Sequence, residues 1–422
     1  MLVVHPAQQH SYRLAAALSR KGLLYKYVTT VYWKKGSLTY FASLFLKDKL
    51  KTKARGRHCQ ELNSEDVVQF CELEGLIKIA LMQIPSLKPL YKKVKYHLTN
   101  RFARKVARYA IQNQVDAVVC YDDYSSRLFE LLHRKAPDIL RIMDVSAANI
   151  LYMRKIYDTD TALQPAFADL LHSERSVVWD KENIARAKKE QGLTDIFLVP
   201  SIFVKRSLRY AGVANKKMKV CPYGVDELQF AQKKYHDYEV PLRRPIRFIY
   251  VGGVKELKGI SYLLEAISKL PVSQASLTVV GHVDKSRMEI KPYLHRVSFT
   301  GSVLHEQVPK LLRKSDVFVF PSLGEGLSLS TLEAASCGLP LIVSENSGVN
   351  DAITEGKEGF VIPIQSTSAF IEKMSWFIKN PDKIETMGRA AREMALQYTW
   401  DNYYARMGQI FDKIEEDYGQ NS

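Results

Sequence analysis

Residues 315–344, SDVFVFPSLGEGLSLSTLEAASCGLPLIVS, decide the fold of this chain because they contain a complete strand, loop, helix and second strand. DVFVFPS and LPLIVS are short apolar runs rich in β-forming residues, which is typical of buried strands. The stretch between them predicts a helix that begins near Ser328 to Ser330. Strand, helix and strand in this order are the repeating unit of a parallel sheet covered by helices. The loop holds Glu325 between two glycines, and Glu333 lies inside the helix.

The same alternation continues in both directions and predicts an α/β chain. IRFIYVGG, ASLTVVGH, VSFTG and GFVIP are further strands around this unit, and a separate set runs from LVVHP near the N terminus to DIFLVPS. Between the two sets, residues 222–245 contain turn residues and show poor periodicity, which indicates a linker. Because 422 residues exceed what one core usually supports, we expect two Rossmann-like domains that face each other across a cleft.

The expected domain boundaries follow from this linker. Residues 1–222 are predicted to form the N-terminal domain and residues 223–398 the C-terminal domain. Residues 399–422 carry apolar side chains at helical spacing, so we expect a closing helix that packs back on the first domain.

Composition limits the class of protein. The sequence is 46% hydrophobic and 25% charged, and its five cysteines are odd in number and lack the spacing of metal ligands. We therefore expect a reducing, cytoplasmic compartment and neither a disulfide framework nor a zinc site. No apolar run reaches the length of a membrane span, and the N terminus turns polar too early for a signal peptide. The net charge of +16 favours an anionic partner without identifying it.

Two strand-to-helix turns carry candidate binding residues, because ligands of open α/β sheets bind at the carboxyl ends of strands. In FIYVGGVKELKGISYLLEAI, Gly252 and Gly253 allow close approach of the backbone and Lys258 supplies a positive charge, as a phosphate group requires. In the second turn, the serine-rich helix start suits a diphosphate, and Glu333 can accept hydrogen bonds from two vicinal hydroxyls.

Together these motifs resemble the retaining glycosyltransferase family 4, which has the GT-B fold and a signature of two glutamates eight positions apart. The resemblance extends from about residue 194 to residue 404 and includes other motifs in order. They are DIFLVPS, VCPYGVD, VGG followed by KG, VSFTGSV, GLPLIVSENSGVNDAI, EGFVIP and YTWDNYYARM.

The resemblance implies a hexosyl transfer from a nucleotide-diphosphate sugar with retention of anomeric configuration and without a metal ion. Lys258 would hold the diphosphate, Glu325 would contact the donor sugar and Glu333 would bind the ribose. The backbone of four residues would line this donor site together with Gly252 and Gly253; the four are Gly326, Leu327, Ser328 and Leu329. A lysine and a helix N terminus directed at the leaving diphosphate would stabilise the charge of the transition state.

Several positions depart from the family pattern. Gly253 stands where many members have an arginine, a contact that Lys255 is a candidate to replace. In the first domain, Met143 occupies the place of a histidine near the acceptor. Asp144 beside it is a catalytic candidate, with the N-cap of the next helix as the alternative interpretation. His5, Gln9 and His10 follow the first strand and are acceptor-side candidates.

Two basic stretches, residues 34–57 and 88–108, indicate how the first domain meets its acceptor. The first contains Tyr40, Phe41 and Phe45, and the second carries eight basic residues and no acid. A solvated helix face is one interpretation. The other is docking on an anionic membrane, which a lipid-linked acceptor would require, so the protein is expected on the inner face of the membrane.

Other functions remain open at this point. A nucleotide-sugar epimerase shares the architecture and the donor site, and a non-catalytic GT-B-fold protein would keep the fold and bind without transfer. Nucleic-acid binding is not expected, because the sequence contains no recognisable module of that kind. The favoured role is transfer to a glycan or lipid-linked acceptor in the synthesis of a cell-surface polysaccharide or glycolipid.

Overall fold

The computed structural model describes residues 1–7, 10–235 and 244–419, which form two parallel sheets covered by helices. Every strand pair within the described ranges is parallel. The predicted α/β class with two Rossmann-like units is confirmed. None of the helices in these ranges is long and apolar enough to cross a membrane.

The first sheet has the strand order β3-β2-β1-β4-β5-β6-β7. Its strands are β1 (Leu2–Val4), β2 (Lys26–Thr29), β3 (Val67–Gln69), β4 (Ala117–Tyr121), β5 (Leu140–Asp144), β6 (Ile196–Val199) and β7 (Met218–Val220). The helices of this domain are α1 (Ser11–Arg20), α2 (Leu38–Leu44), α3 (Asp48–Arg55), α4 (Glu72–Met82), α5 (Lys88–Gln112), α6 (Ser125–Lys135), α7 (Ile150–Leu163), α8 (His172–Trp179), α9 (Lys181–Leu193) and α10 (Ile202–Tyr210).

The second sheet has the order β10-β9-β8-β11-β12-β13. Its strands are β8 (Ile246–Val251), β9 (Ala275–Val280), β10 (Val297–Gly301), β11 (Val317–Phe320), β12 (Leu341–Ser344) and β13 (Gly359–Ile362). Its helices are α11 (Ile260–Ser268), α12 (Val308–Arg313), α13 (Leu329–Ser336), α14 (Thr367–Lys379) and α15 (Lys383–Ala395), and α16 (Trp400–Gly419) ends the chain. Both sheets reverse their strand order between the first and fourth strand, which is where such folds bind ligands.

The central strands are buried on both faces. All residues of β1, β4, β11 and β12 are buried, in agreement with their continuous apolar sequences. Helices that pack on both sides of each sheet therefore leave the strand ends as the places where polar side chains collect.

The chain passes between the two domains at two adjacent places. Val225 forms an isolated parallel bridge with Thr399, and a Cβ on Gly224 would lie 2.5 Å from the backbone nitrogen of Trp400. After the second crossing, α16 packs along α1, where Lys21 pairs with Asp412. Residues 236–243 of the predicted linker lie outside the described residues, whereas Phe230 before them is buried.

The two domains also touch across the cleft. The Ser201 hydroxyl donates a 2.6 Å hydrogen bond to the carbonyl of Gly326, and the Arg206 guanidinium donates to the Asn346 side chain at 2.8 Å. At the same interface the Tyr262 hydroxyl donates to Asp160 at 2.7 Å. The first of these contacts holds the β11–α13 loop against the first domain, and the other two attach the segment after β12 and helix α11 to it.

Candidate functional site

The turn after β8 places Lys258 beside β11. Residues Glu256–Lys258 form one 3-10 turn, and Gly259 then begins α11 with a φ of +62°. A Cβ on Gly259 would lie 2.1 Å from the carbonyl oxygen of Pro321, so only glycine fits this conformation and this contact. The two strand ends are therefore close enough for their side chains to meet.

Lys258 and Glu325 meet at these strand ends. The Lys258 ammonium forms an ion pair with Oε1 of Glu325, and the Ser322 hydroxyl donates to the same oxygen at 2.8 Å. The backbone N–H of Glu325 donates to the Asn346 carbonyl at 2.9 Å, which fixes the loop. Both side chains are largely enclosed, with 24% of Lys258 and 14% of Glu325 exposed. An arriving anion would meet a cation that is already oriented.

Helix α13 begins directly after this loop, as the sequence predicts. Ser328 is its N-cap, and the Ser328 hydroxyl accepts a hydrogen bond from the Thr331 N–H at 3.2 Å. Leu327 is buried beneath the loop, while Leu329 is partly exposed at the first turn. Gly326 is fixed by the other domain, since a Cβ there would lie 1.9 Å from the carbonyl oxygen of Ser146.

Glu333 lies one turn into α13 and has a partner that the sequence did not indicate. Nε2 of His305, in the turn before α12, lies 2.8 Å from Oε1 of Glu333. This hydrogen bond raises the pKa of His305. The His305 side chain is 62% exposed and that of Glu333 only 12%, so the imidazole covers the carboxylate from the solvent side. No motif in the sequence identifies His305.

The two glycines after β8 differ in their surroundings. A Cβ on Gly252 would lie 2.6 Å from the Tyr250 hydroxyl, whereas a Cβ on Gly253 would meet no atom within 4 Å. Position 253 therefore has room for a side chain that this protein lacks. Lys255, the candidate replacement, is paired with Glu174 of the first domain at 3.1 Å.

The structure brings together two of the predicted residues of the first domain. Nε2 of His10 lies 3.1 Å from Oδ2 of Asp144, and the Tyr223 hydroxyl lies 3.1 Å from the same nitrogen. Asp144 is buried, with 3% of its surface exposed. The N-cap interpretation of Asp144 is wrong, because α7 begins six residues later and its cap is Asn149, whose side chain accepts from the Leu151 N–H.

The other two acceptor-side candidates do not join this pair. His5 is fully buried, and its Nδ1 accepts a 2.9 Å hydrogen bond from the Ala7 N–H. Its ring packs edge-on against Tyr121, with 4.8 Å between ring centroids. These contacts hold the His5 ring inside the turn after β1. Gln9 lies outside the described residues.

A cavity of about 530 Å³ lies between the domains next to Glu325. Met143, Asn149, Asp122 and Glu190 line its wall on the first domain. Burial raises the pKa values of both Asp122 and Glu190 to about 7. The position of Asp122 directly after β4 is a signal that the sequence offered, whereas nothing local distinguishes Glu190 on α9.

Comparisons with known proteins find one family model and several relatives. Residues 233–394 match the family model of glycosyl transferases group 1. The chain is 29% identical over 217 residues to the sulfoquinovosyl transferase of Arabidopsis thaliana, an alignment that covers 49% of this chain and 42% of that protein. It is 25% identical over 215 residues to a D-inositol 3-phosphate glycosyltransferase of Arthrobacter sp., covering 46% and 51%. The chain thus spans about half the length of these curated relatives.

Solved structures resemble the chain over its whole length. Sucrose-phosphate synthase of Thermosynechococcus elongatus superimposes with a TM-score of 0.65 at 17% identity, covering 99% of each chain. Anabaena HepE, solved in complex with UDP, superimposes with a TM-score of 0.61 at 14% identity, covering 98% of this chain and 99% of that one. At these identities the likeness establishes the fold, which is GT-B.

Proposed function

We propose that the chain is a retaining glycosyltransferase, because residues 233–394 match the model of glycosyl transferases group 1 and the chain has the GT-B fold. It would move a hexosyl group from a nucleotide-diphosphate donor to a glycan or lipid-linked acceptor. The observation that carries this proposal is the pairing of Lys258 with Glu325 at adjoining strand ends. Helix α13, which contains Glu333, begins directly after the loop that holds Glu325. The matched family segment contains all three residues.

The donor diphosphate would compete with Glu325 for Lys258. Lys258 and the N terminus of α13 both carry positive charge near the loop, and each favours a leaving group that gains negative charge in the transition state. Once Lys258 turns to the phosphate, the Glu325 carboxylate is free to accept hydrogen bonds from hydroxyls of the sugar. These groups perform the role that a metal ion has in other enzymes, so we expect transfer to continue in the presence of EDTA.

Glu333 would bind the ribose of the nucleotide. Its carboxylate can accept hydrogen bonds from two vicinal hydroxyls, and those hydroxyls would replace or share its contact with His305. The complex of HepE with UDP and a second one with UDP-glucose support a uridine donor as the first to test.

On the acceptor side we propose a division of roles. His10 is in contact with Asp144, and Asp144 does not line the cavity, so Asp144 is proposed as a positioning residue that acts through His10. The cavity beside Glu325 is where the acceptor hydroxyl would enter, since it is the space between the donor-side loop and the first domain.

We also propose that the first domain docks on an anionic membrane, which would place the enzyme on the inner face of the membrane in polysaccharide or glycolipid synthesis. Phe41 within α2 and Phe45 at its C-terminal end are 52% and 87% exposed. The basic residues of α5, among them Lys92, Lys93 and Lys95, are exposed as well. In peripheral membrane proteins, apolar side chains typically insert into the bilayer while neighbouring cations contact the lipid headgroups.

Co-sedimentation with vesicles tests this docking. The parent should bind vesicles that contain phosphatidylglycerol better than pure phosphatidylcholine, and Phe45→Ser should weaken the binding. Leu228→Ser, which changes an 84% exposed leucine near the domain crossing, is the matched control and should bind like the parent. Equal sedimentation of the parent with both vesicle types, or with neither, would reject the membrane proposal.

Thermal unfolding with UDP, GDP, ADP and their sugar conjugates tests the donor proposal. A nucleotide at a hundred times its dissociation constant adds about 2.7 kcal/mol of stability, which is a visible shift. Glu333→Ala and Lys258→Ala should abolish the shift, and Lys255→Ala should retain it. If no nucleotide stabilises the parent, the proposal fails.

Product analysis separates the alternatives. Epimerised nucleotide sugar without an acceptor would indicate an epimerase, and binding without turnover would indicate a non-catalytic protein.

A further inference from the structure

Three cations lie together in the first domain with no acid among them. Lys78 is on α4, Lys95 is on α5, and Arg57 follows α3. Helices α4 and α5 pack along each other. Lys78 is only 9% exposed. Within the ranges that the structure describes, the side chains of these three residues form neither a salt bridge nor a hydrogen bond.

The electrostatics around Lys78 are unfavourable for a cation. Its pKa is lowered to about 8, first by burial and then by the charges of Lys95 and Arg57. Burial also lowers the pKa of Arg57. Lys78 is therefore still mostly protonated at neutral pH, in a place where its charge is poorly solvated and is repelled by its neighbours.

Two other cations, one nearby and one in the second domain, have partners. Arg101, farther along the same helix pair, forms an ion pair with Glu74. Lys233, buried in the second domain, donates to the Ser315 carbonyl at 2.5 Å and lies 3.8 Å from Asp316. Because a buried charge without a partner costs several kcal/mol, an unmatched lysine at position 78 indicates an anion that is bound there in use.

The position of the cluster fits the acceptor side of the molecule. Gly75, one turn before Lys78, packs against Thr30 and Val31, and a Cβ on Gly75 would lie 2.7 Å from the Val31 side chain. Thr30 and Val31 directly follow the carboxyl end of β2, which is the same sheet edge that carries His10 and Asp144. Lys78 is thus on a helix that packs against that edge, and Lys95 is on the helix beside it.

We propose that Lys78, Arg57 and Lys95 form a binding site for a phosphate group that is carried by the acceptor or by a lipid headgroup. The assignment of that phosphate to an acceptor rests on the proposed glycosyltransferase function, whereas the anion site itself does not. Two lysines and a guanidinium carry enough positive charge to neutralise a phosphomonoester, which has at most two negative charges, and Arg57 can donate two parallel hydrogen bonds to its oxygens.

Calorimetric titration of inorganic phosphate at constant ionic strength tests the site. The full chain with Lys258→Ala is used as the background, because this change removes the proposed donor-site contact. Phosphate should bind this background. Its affinity should fall at least tenfold after Lys78→Met and should be unchanged after Lys188→Met, which alters an exposed lysine on α9. Equal phosphate binding by the Lys78 and Lys188 variants would overturn the proposal.

Folding of the variant is checked independently. Without phosphate, Lys78→Met should unfold at the same temperature as its background or at a higher one, because it removes an unmatched charge. Phosphate should then raise the unfolding temperature of the background more than that of the variant. If Lys78→Met fails to fold, Lys95→Met on the exposed side of the cluster replaces it and should weaken phosphate binding severalfold; unaltered binding would overturn the site.

Two further arms identify the source of the phosphate. Glycerol 3-phosphate is titrated in solution, and phosphatidylcholine vesicles with and without phosphatidic acid are used for co-sedimentation. Dependence on Lys78 in solution alone assigns a phosphorylated acceptor, and dependence in both arms assigns a lipid headgroup. Indifference to Lys78 in both arms overturns the proposal, whereas loss of nucleotide binding at the donor site would leave these results unchanged.

Discussion

The two domains share one strand order, yet the charged groups near their strand ends are partnered differently. In the second domain Lys258 pairs with Glu325 and His305 with Glu333. In the first domain His10 meets Asp144, but Glu190 and Lys78 are buried and, among the described residues, neither of these two forms a salt bridge. Charges that neutralise each other are stable in an empty site. Unmatched buried charges are unfavourable until a ligand of opposite charge neutralises them. The contrast suits a donor site that is formed in advance and an acceptor side that the substrate completes.

The largest effect is expected where the paired site is broken. Lys258→Ala should lower the rate of sugar transfer by about 100- to 1000-fold, the range seen when one group that stabilises transition-state charge is removed. Steady-state kinetics measures this. Lys255→Ala removes a lysine from the same turn that pairs with the first domain, and it should cost less than tenfold. Equal losses would mean that the Lys258–Glu325 pair has no special role.

A second prediction concerns the point where the domains meet. Gly326→Ala places a Cβ 1.9 Å from the Ser146 carbonyl oxygen, so the contact must open or strain, at about 3 kcal/mol in free energy of unfolding. Gly253→Ala adds the same atom where nothing lies within 4 Å and should be neutral. Thermal and denaturant unfolding compare the two, and indistinguishable variants would contradict the close approach of the domains.

The unmatched acid of the first domain gives a pH-dependent prediction. Burial raises the pKa of Glu190 from 4.5 to about 7, so the folded protein holds a proton that the unfolded chain releases. Stability of the parent should therefore fall as the pH rises through this window. Glu190→Gln keeps the neutral form, so its stability relative to the parent should increase by about 2 kcal/mol from pH 5 to pH 8.

Denaturant unfolding at the two pH values measures this difference. Glu130→Gln is the control, because hydrogen bonds from Lys189 and Arg127 lower the pKa of Glu130. Its contribution is lost only as the pH falls below the ordinary range of a glutamate, so the relative stability of Glu130→Gln should stay nearly constant between pH 5 and pH 8. A relative stability of Glu190→Gln that is independent of pH would show that this acid is solvated.

The smallest effect is expected at the His305–Glu333 pair. Glu333 raises the pKa of His305, so below that pKa a protonated imidazole holds the carboxylate that the ribose needs. Nucleotide affinity should rise, by less than tenfold, as the pH increases through a value above 6.5. The pair itself stabilises the fold at lower pH and loses this contribution as His305 deprotonates.

His305→Asn should flatten the affinity profile relative to the parent when both are titrated by calorimetry. The same pH dependence in both proteins would assign it to the nucleotide.

The strand-turn-helix units and the placement of Lys258, Glu325 and Glu333 were predictable because their determinants are local. Each residue follows a buried strand or begins a helix within one continuous segment, and glycines and serines mark the turns. The helix start at Ser328 is confirmed by its cap. The functional roles of these residues stay predictions.

The groups of the first domain were less predictable because they depend on contacts between distant segments. His10 and Asp144 are 134 residues apart, and only the parallel alignment of β1 and β5 on either side of β4 brings them together. The sequence around Lys78 does not distinguish it from an ordinary surface lysine, and it is buried only because α5 packs on α4. His305 precedes α12 and Glu333 lies in α13, so their contact joins two separate segments. The hydrophobic periodicity of the sequence does not reveal such a contact.

The two crossings between the domains, at residues 224–225 and 398–400, lie side by side and are bridged to each other. A domain joined to another by two adjacent connections rotates most easily about the line through them and resists other rotations and sliding. Opening of the cleft is thereby restricted to one swing, which returns Gly326 to the same spot on the opposite domain each time. The arrangement also means that cleavage of one peptide bond cannot release the second domain, because the chain both enters and leaves this domain at the same place.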